Sequence, residues 1–330
     1  MSLIGHEWAV SFVARSHQQG AAAHAYLLVG PPQVGKFTTA LAIGRALLCA
    51  EVPACGVCRQ CLLASHDTHP DLRTLEMPPD RKTIPLNDVH ELTQGIALRP
   101  LEAAHKVYII RDADDLSEEG ANALLKTIEE PPPTVVILLT ALSTSSVPAT
   151  IVSRCQVLTL RPVAAEVIES YITQRFELTP DRAGALARAS RGRPGWAILA
   201  AKAPAMLEAQ QQRTADMARL VAASRLDRMA YAAELAEIWI KRPDEVRATL
   251  ETWGELWHAV MLAQAQVSPR SSGLPATESI NRIARGLAPS AVREALRATL
   301  DALDALDRNA NARLVLEAHL LLLPKLAAGG

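Results

Sequence analysis

The sequence has few aromatic residues, almost no net charge and no long apolar run. Phe, Trp and Tyr make up only 4% of its 330 residues, and the formal net charge is −1. A chain so close to neutrality has no global attraction for nucleic acid, so any DNA contact must come from a local patch or from partner subunits. The longest apolar stretches, such as 135–139, are far too short to span a bilayer. We therefore expect neither a basic DNA-binding protein nor a membrane protein.

The N-terminus lacks the basic-then-apolar layout of a secretory signal, because His6 and Glu7 come early. We therefore expect a cytoplasmic protein. A length of 330 residues suggests two or three domains, and 49% hydrophobic residues are enough for a sizeable core. Alanine and leucine dominate the second half, which indicates helices packed on helices.

Cysteine is scarce but concentrated. Four of the five cysteines fall within 49–61, with the spacing C-x5-C-x2-C-x2-C. In a reducing cytosol this clustering favours metal binding over disulfides, and four thiolates complete a tetrahedral Zn²⁺ shell. One bacterial iron–sulfur run shares the C-x2-C-x2-C core, but it continues with a further Cys and Pro that are absent after Cys61. We predict a structural Zn²⁺ ion held by Cys49, Cys55, Cys58 and Cys61.

A degenerate phosphate-binding loop begins at Gly30, in the run GPPQVGKFT. The usual pattern is G-x-x-x-x-G-K followed by Ser or Thr, between a strand and a helix. The apolar run 25–29 and the helical pattern of 36–48 supply that setting. The hydroxyl that should coordinate Mg²⁺ is replaced by Phe37. The candidate phosphate-binding residues are Gly30, Gly35, Lys36 and Thr38, and whether they still bind ATP is left open.

The order of apolar runs indicates an α/β domain followed by helices. Short apolar strands alternate with helices up to about 162, which predicts a parallel sheet covered on both faces. Candidate strands are 25–29, 71–77, 106–110, 135–141 and 156–160, and candidate helices are 36–48, 85–98 and 117–130. Beyond 163 the pattern is helical, at 163–176, 180–189, 195–203 and 205–323, with breaks near 241–244 and 267–277. We predict domains at 1–162, 163–204 and 205–330.

Two motifs identify a family. The run NALLKTIEEPP at 122–132 closely resembles the N-A-L-L-K-x-[LI]-E-E-P-P segment of the bacterial clamp-loader subunits, members of the AAA+ superfamily. The tripeptide Ser153-Arg154-Cys155 resembles the S-R-C motif of that family. The cysteine insert also matches the zinc module that these subunits carry after their first helix. These matches cover the first half of the chain and follow the family's order.

The resemblance implies an AAA+ phosphate-loop domain with a parallel sheet, then a small helical lid and an all-helical C-terminal collar domain. Motor subunits of the family pair an intact loop with Asp-Glu at the end of a strand, where this chain has Arg111-Asp112. Asp112 could serve as the metal ligand only in a register that breaks the alignment with 122–132. The arginine that faces the nucleotide in motors matches Gly195, although Arg193 lies close by.

These departures all concern catalysis, so the resemblance favours a non-hydrolysing stator subunit. Its Arg154 is then expected to act in trans, as an arginine finger in a neighbour's active site, although a lone arginine is often a surface residue. The implied partners are the gamma/tau and delta subunits, with the sliding clamp and primer–template DNA reached through the complex. The alternatives are an ATP-hydrolysing gamma/tau-type motor and a zinc-dependent interaction protein outside replication.

Overall fold

A computed structural model describes residues 3–51, 54–81, 83–267 and 278–326. The chain divides into two compact units. The first comprises Met1–Arg175 and Gly192–Trp196, and the second comprises Phe176–Arg191 and Ala197–Gly330. The division into three domains, with boundaries after 162 and 204, stays a prediction.

The first unit is built on a five-stranded parallel sheet with strand order β2-β3-β4-β1-β5. Its strands are β1 (Ala25–Val29), β2 (Leu72–Leu75), β3 (Lys106–Ile110), β4 (Val135–Ala141) and β5 (Gln156–Thr159). Every residue of the three central strands is buried, which explains their continuous apolar runs. This confirms the predicted α/β fold with a parallel sheet. The two edge strands are shorter than predicted, because each pairs on one side only.

Helices cover both faces of this sheet. They are α1 (Glu7–Gln18), α2 (Lys36–Leu48), α3 (Arg59–Ser65), α4 (Leu86–Ile96), α5 (Glu118–Glu129) and α6 (Ala149–Val152), and α7 (Ala165–Phe176) follows the last strand. Successive strand side chains point to opposite faces, so Leu27 joins the core beneath α4 and α5, whereas Tyr26 and Leu28 join the core beneath α1 and α2. Helix α5 begins as predicted, with the Ser117 hydroxyl accepting the Gly120 N–H at 3.0 Å.

All the regular secondary structure in the described residues of the second unit is helical. Its helices are α8 (Pro180–Ser190), α9 (Pro194–Lys202, which begins in the first unit), α10 (Ala205–Ala222), α11 (Arg225–Lys241), α12 (Pro243–Gln264), α13 (Glu278–Gly286), α14 (Pro289–Asp307) and α15 (Ala312–Leu322). The core is centred on Trp253 and Trp257 of α12. The break predicted near 241–244 separates α11 from α12, whereas the one at 267–277 lies outside the described residues apart from Val267. None of the described helices is long and apolar enough to cross a membrane.

A buried arginine closes this helical unit. Arg228 in α11 is only 4% exposed, and its guanidinium donates to the carbonyls of Leu220 at 2.9 Å and Val221 at 3.1 Å, at the end of α10. It also donates to the carbonyls of Leu323 and Pro324 beyond α15. The last carbonyls of a helix have no partner within that helix, so Arg228 satisfies groups at two helix ends at once.

Candidate functional sites

The four predicted zinc ligands come together in the structure. Their sulfur atoms all lie within 4.8 Å of one another. Cys49 Sγ is 3.7 Å from Cys55 Sγ and 3.9 Å from Cys58 Sγ. Tetrahedral zinc with Zn–S bonds of about 2.3 Å places its sulfur ligands about 3.8 Å apart. The cluster can therefore hold one metal ion, and its spacing suits zinc.

Backbone N–H groups line the thiol cluster. The Cys55 N–H donates to Cys49 Sγ at 3.5 Å, and the Cys58 N–H donates to Cys55 Sγ at 3.4 Å. Hydrogen bonds from the backbone of Val57 and Cys58 lower the pKa of Cys55 to about 7, whereas burial raises the pKa of Cys61 to about 12. Bonds of this kind stabilise the thiolate, which is the form that binds a metal.

The thiol cluster is anchored to the sheet domain by α3. Arg59 donates from Nε and Nη2 to the two carboxylate oxygens of Glu102, both at 3.0 Å. Gln60 donates to the Glu102 carbonyl at 3.4 Å. The carboxylate of Asp71, just before β2, accepts the backbone N–H groups of 101–103 at 2.8 to 3.0 Å. Residues far apart in the chain thus fix the cluster beside β2 and β3, which the sequence pattern did not reveal.

The phosphate loop lies between β1 and α2, as predicted. Gly35 has φ +108°, in the left-handed region that favours glycine, and a Cβ at Gly30 would lie 2.5 Å from the Leu160 carbonyl oxygen. The Lys36 ammonium donates to the Gly30 carbonyl at 2.8 Å and to the Pro31 carbonyl at 3.3 Å. The lysine expected to reach phosphate is therefore bound to the backbone of its own loop.

Two other segments also contact the loop. His6 Nε2 lies 3.1 Å from the Val34 carbonyl oxygen, and the Gly195 N–H donates to the Gln33 carbonyl at 2.9 Å. A Cβ at Gly195 would lie 2.9 Å from that same oxygen, so only glycine permits this approach. Thr38 is half-buried in the first turn of α2. The loop is thus tied to the start of α1 and to the start of α9.

The two departures from the motor pattern contact each other. Arg111 follows β3, and its guanidinium carbon lies 4.9 Å from the centre of the Phe37 ring, a cation–π contact. Arg111 also donates to Glu76 at 2.8 Å and lies 3.5 Å from Asp112. A hydroxyl and a carboxylate would hold Mg²⁺ here in a motor, whereas this chain presents an aromatic ring and a fixed positive charge. The sequence showed each substitution but not their contact.

The acidic residues after β3 are engaged with the backbone. Asp112 donates its N–H to Thr140 Oγ1 at 2.8 Å, and the Asp114 carboxylate accepts the Leu142 N–H at 3.0 Å. Burial lowers the pKa of Lys36, and the charges of Asp112 and Asp114 oppose that shift. The two carboxylates therefore favour the charged form of Lys36 against the effect of burial, and Asp114 holds the backbone at the end of β4.

Arg154 lies at the surface in a defined orientation. It follows α6, its side chain is 34% exposed, and its Nε donates to Glu129 Oε1 at 2.7 Å. Its Nη2 donates to the same oxygen. Nη1 donates to the Thr150 carbonyl at 2.9 Å and to Ser153 Oγ at 3.3 Å. The sequence pointed to Arg154, but no local pattern indicated that Glu129 holds it.

Comparison with known proteins supports the clamp-loader resemblance. The family described as DNA polymerase III, delta subunit matches residues 5–164. DNA polymerase III subunit delta-prime of Escherichia coli (strain K12) is 33% identical over 186 residues, which cover 56% of each chain. DNA polymerase III subunit gamma of Buchnera aphidicola (subsp. Acyrthosiphon pisum, strain APS) is 30% identical over 171 residues, or 52% of this chain and 47% of that one.

A solved DNA polymerase III gamma subunit-related protein from Thermotoga maritima aligns with 95% of this chain and 97% of its own, at 16% identity and a TM-score of 0.44. The chain spans about half the length of the curated relatives it matches. Within the matched half, the predicted resemblance to clamp-loader subunits is confirmed, and delta-prime is the subunit named by several relatives.

Proposed function

We propose that this chain, whose residues 5–164 match the DNA polymerase III delta-subunit family, acts as the delta-prime stator of a bacterial clamp loader. It would assemble in the cytoplasm with gamma/tau and delta subunits and help to place the sliding clamp on primed DNA. The observation that carries the proposal is the contact between Phe37 and Arg111 at the phosphate loop, in a chain that keeps an exposed Arg154.

The contact argues that the chain does not hydrolyse ATP. Phosphoryl transfer depends on Mg²⁺ to neutralise charge on the phosphate oxygens, so loss of the metal site costs orders of magnitude in rate. Arg111 would repel a divalent ion, and Phe37 offers it no ligand. The similarity to a gamma subunit keeps an ATP-hydrolysing motor as the second candidate, which this geometry disfavours.

The phosphate loop would act as a structural joint. Carbonyls of Gly30, Gln33 and Val34 are engaged by Lys36, Gly195 and His6 respectively. A nucleotide would have to recruit the Lys36 ammonium away from Gly30 in order to bind in the usual way. We therefore expect at most weak binding of ATP.

The metal ion would be Zn²⁺ with a structural role. Four cysteine ligands leave no open coordination position for a substrate or a reactive water. The hydrogen bonds between Arg59 and Glu102 connect the zinc site to the loop before β3, so the ion would stabilise this edge of the sheet domain.

Arg154 would supply the catalytic contribution of this chain. In a ring of AAA+ subunits, an arginine from one subunit can stabilise the charge that develops on the phosphoryl group bound by its neighbour. Arg154 is exposed and still carries a guanidinium, whose planar fork matches phosphate. A subunit with a disabled metal site and an intact finger is suited to completing another subunit's active site.

Reconstitution tests this function. The chain would be mixed with gamma/tau-type and delta-type subunits and the sliding clamp from the same bacterium, and loading of a labelled clamp onto primed DNA would be measured. We expect a stable complex, and clamp loading that is lost when this chain is omitted. Equal loading without the chain, or failure of the chain to join the complex, contradicts the proposal.

A further inference from the structure

We propose that Glu129 is a positioning residue that holds Arg154 ready to bind a phosphoryl group on a neighbouring subunit. Glu129 is the last residue of α5, and Arg154 follows α6. The inference rests on the proposed arginine finger and adds the residue that orients it. Whether Arg154 can bind phosphate in this orientation depends on which N–H groups of its guanidinium already have acceptors.

A guanidinium has five N–H donors fixed in one plane. Nε and Nη2 of Arg154 both donate to Oε1 of Glu129, so the N–H of Nε and one N–H of Nη2 already have an acceptor. Nη1 donates to the Thr150 carbonyl, one helical turn earlier, and to Ser153 Oγ at 3.3 Å. Among the described residues no further acceptor contacts Arg154. The second N–H of Nη2 has no acceptor among them, and the end of the fork can make two parallel bonds to phosphate once Nη1 releases Ser153 Oγ, the longest of these bonds.

Holding the side chain in advance favours the reaction because an unrestrained arginine must be ordered when it meets the phosphate. The rotamer freedom of a free arginine corresponds to a factor of about 30 in an equilibrium constant. The Thr150 carbonyl would still restrain part of the side chain without Glu129. We therefore expect loss of Glu129 to lower the contribution of Arg154 about tenfold.

The chain offers a matched control and a way to separate geometry from charge. Glu130 is adjacent and likewise exposed, and it makes no hydrogen bond to Arg154 among the described contacts. Both bonds from Arg154 go to a single oxygen of Glu129, so the amide oxygen of glutamine can accept them without the negative charge. Alanine can accept neither bond.

The test uses the reconstituted complex of this chain with gamma/tau-type and delta-type subunits, stimulated by clamp and primed DNA. The variants are Glu129→Ala, Glu129→Gln, Glu130→Ala, Arg154→Ala and the double variant Glu129→Ala/Arg154→Ala. The readout is the Arg154-dependent rate of ATP hydrolysis. For each complex it is the measured rate minus the rate of the Arg154→Ala complex. Thermal unfolding and complex assembly are measured for each variant.

We expect Glu129→Ala to lower the Arg154-dependent rate about tenfold, Glu129→Gln to keep it within about twofold, and Glu130→Ala to leave it unchanged. The double variant should match Arg154→Ala alone. If Arg154→Ala slows hydrolysis but Glu129→Ala behaves like Glu130→Ala, the positioning role is wrong and the proposed finger stands. A glutamine variant as slow as alanine, or a further loss in the double variant, also contradicts the positioning role. If Arg154→Ala has no effect, the finger itself fails.

Discussion

Replacement of Arg228 by methionine would remove the cation that joins two helix ends in the helical unit. The guanidinium is 4% exposed and donates to four backbone carbonyls, at Leu220, Val221, Leu323 and Pro324. Methionine has a similar length and packs well in apolar surroundings, but it donates no hydrogen bond. The substitution therefore isolates the polar role of Arg228 from its packing.

The expected cost follows from the acceptors left behind. The carbonyls of Leu220 and Val221 keep the N–H groups of Ala223 and Leu326 as donors, whereas those of Leu323 and Pro324 lose Arg228. A buried acceptor without a partner costs about 1–3 kcal/mol. Removal of the cation also removes the free-energy cost of burying a charge, which offsets part of this loss. The same burial lowers the pKa of Arg228. We therefore expect Arg228→Met to lower the free energy of unfolding by about 3 kcal/mol.

Urea unfolding followed by tryptophan fluorescence measures this loss, because Trp253 and Trp257 are fully buried in the same core. With a slope of about 2 kcal/mol per molar urea, the midpoint should fall by about 1.5 M. Arg225→Met is the matched control, since Arg225 lies in the first turn of the same helix and is exposed. A midpoint for Arg228→Met equal to that of the control would refute the argument that the carbonyls depend on this cation.

Three further expectations concern the metal, the phosphate loop and a buried histidine. Purified, untagged chain should contain near one zinc ion per molecule, and Cys58→Ser should lower that content; metal analysis without zinc in the unmodified chain would contradict the site. The isolated chain should not turn over ATP, because Phe37 and Arg111 replace metal-binding groups, and turnover at ordinary AAA+ rates in a motor-free preparation would overturn this. Burial lowers the pKa of His319 to about 4, so the unfolded state binds a proton first as the pH falls below its ordinary value of 6.5. Stability should fall by about 3 kcal/mol between those values, and His319→Leu should remove that part of the pH dependence in urea titrations.

The sequence predicted best those features that local pattern encodes. The central strands β1, β3 and β4 were predicted to the residue, because burial on both faces makes them uninterrupted apolar runs. The thiol cluster was predicted from spacing alone, since cysteines three positions apart can present their sulfurs to one ion. The edge strands were predicted too long, because neither is buried along its whole length and neither carries an uninterrupted apolar signal that marks its ends.

The contacts at the candidate sites were not predictable, because they join residues distant in sequence. Nothing near Phe37 indicates that Arg111 will lie over its ring, and nothing near Arg154 indicates Glu129. Each local segment reads as an ordinary strand end or helix end. The pairs arise only when the sheet order places β3 close to the phosphate loop and α5 beside α6, which is information carried by the whole fold.

The central claim is that this chain completes a neighbour's active site without hydrolysing ATP itself. The most direct measurement is clamp- and DNA-stimulated ATP hydrolysis by the reconstituted complex carrying Arg154→Ala, with Arg154→Lys beside it. A trans-acting arginine is worth about 10³–10⁵ in rate in GTPases, so hydrolysis at the one adjoining motor site should be almost lost. Lysine should rescue poorly, because it lacks the planar fork. We expect the Arg154→Ala complex to assemble normally and to hydrolyse ATP more slowly; an unchanged rate from a fully assembled complex would contradict a trans-acting role for Arg154.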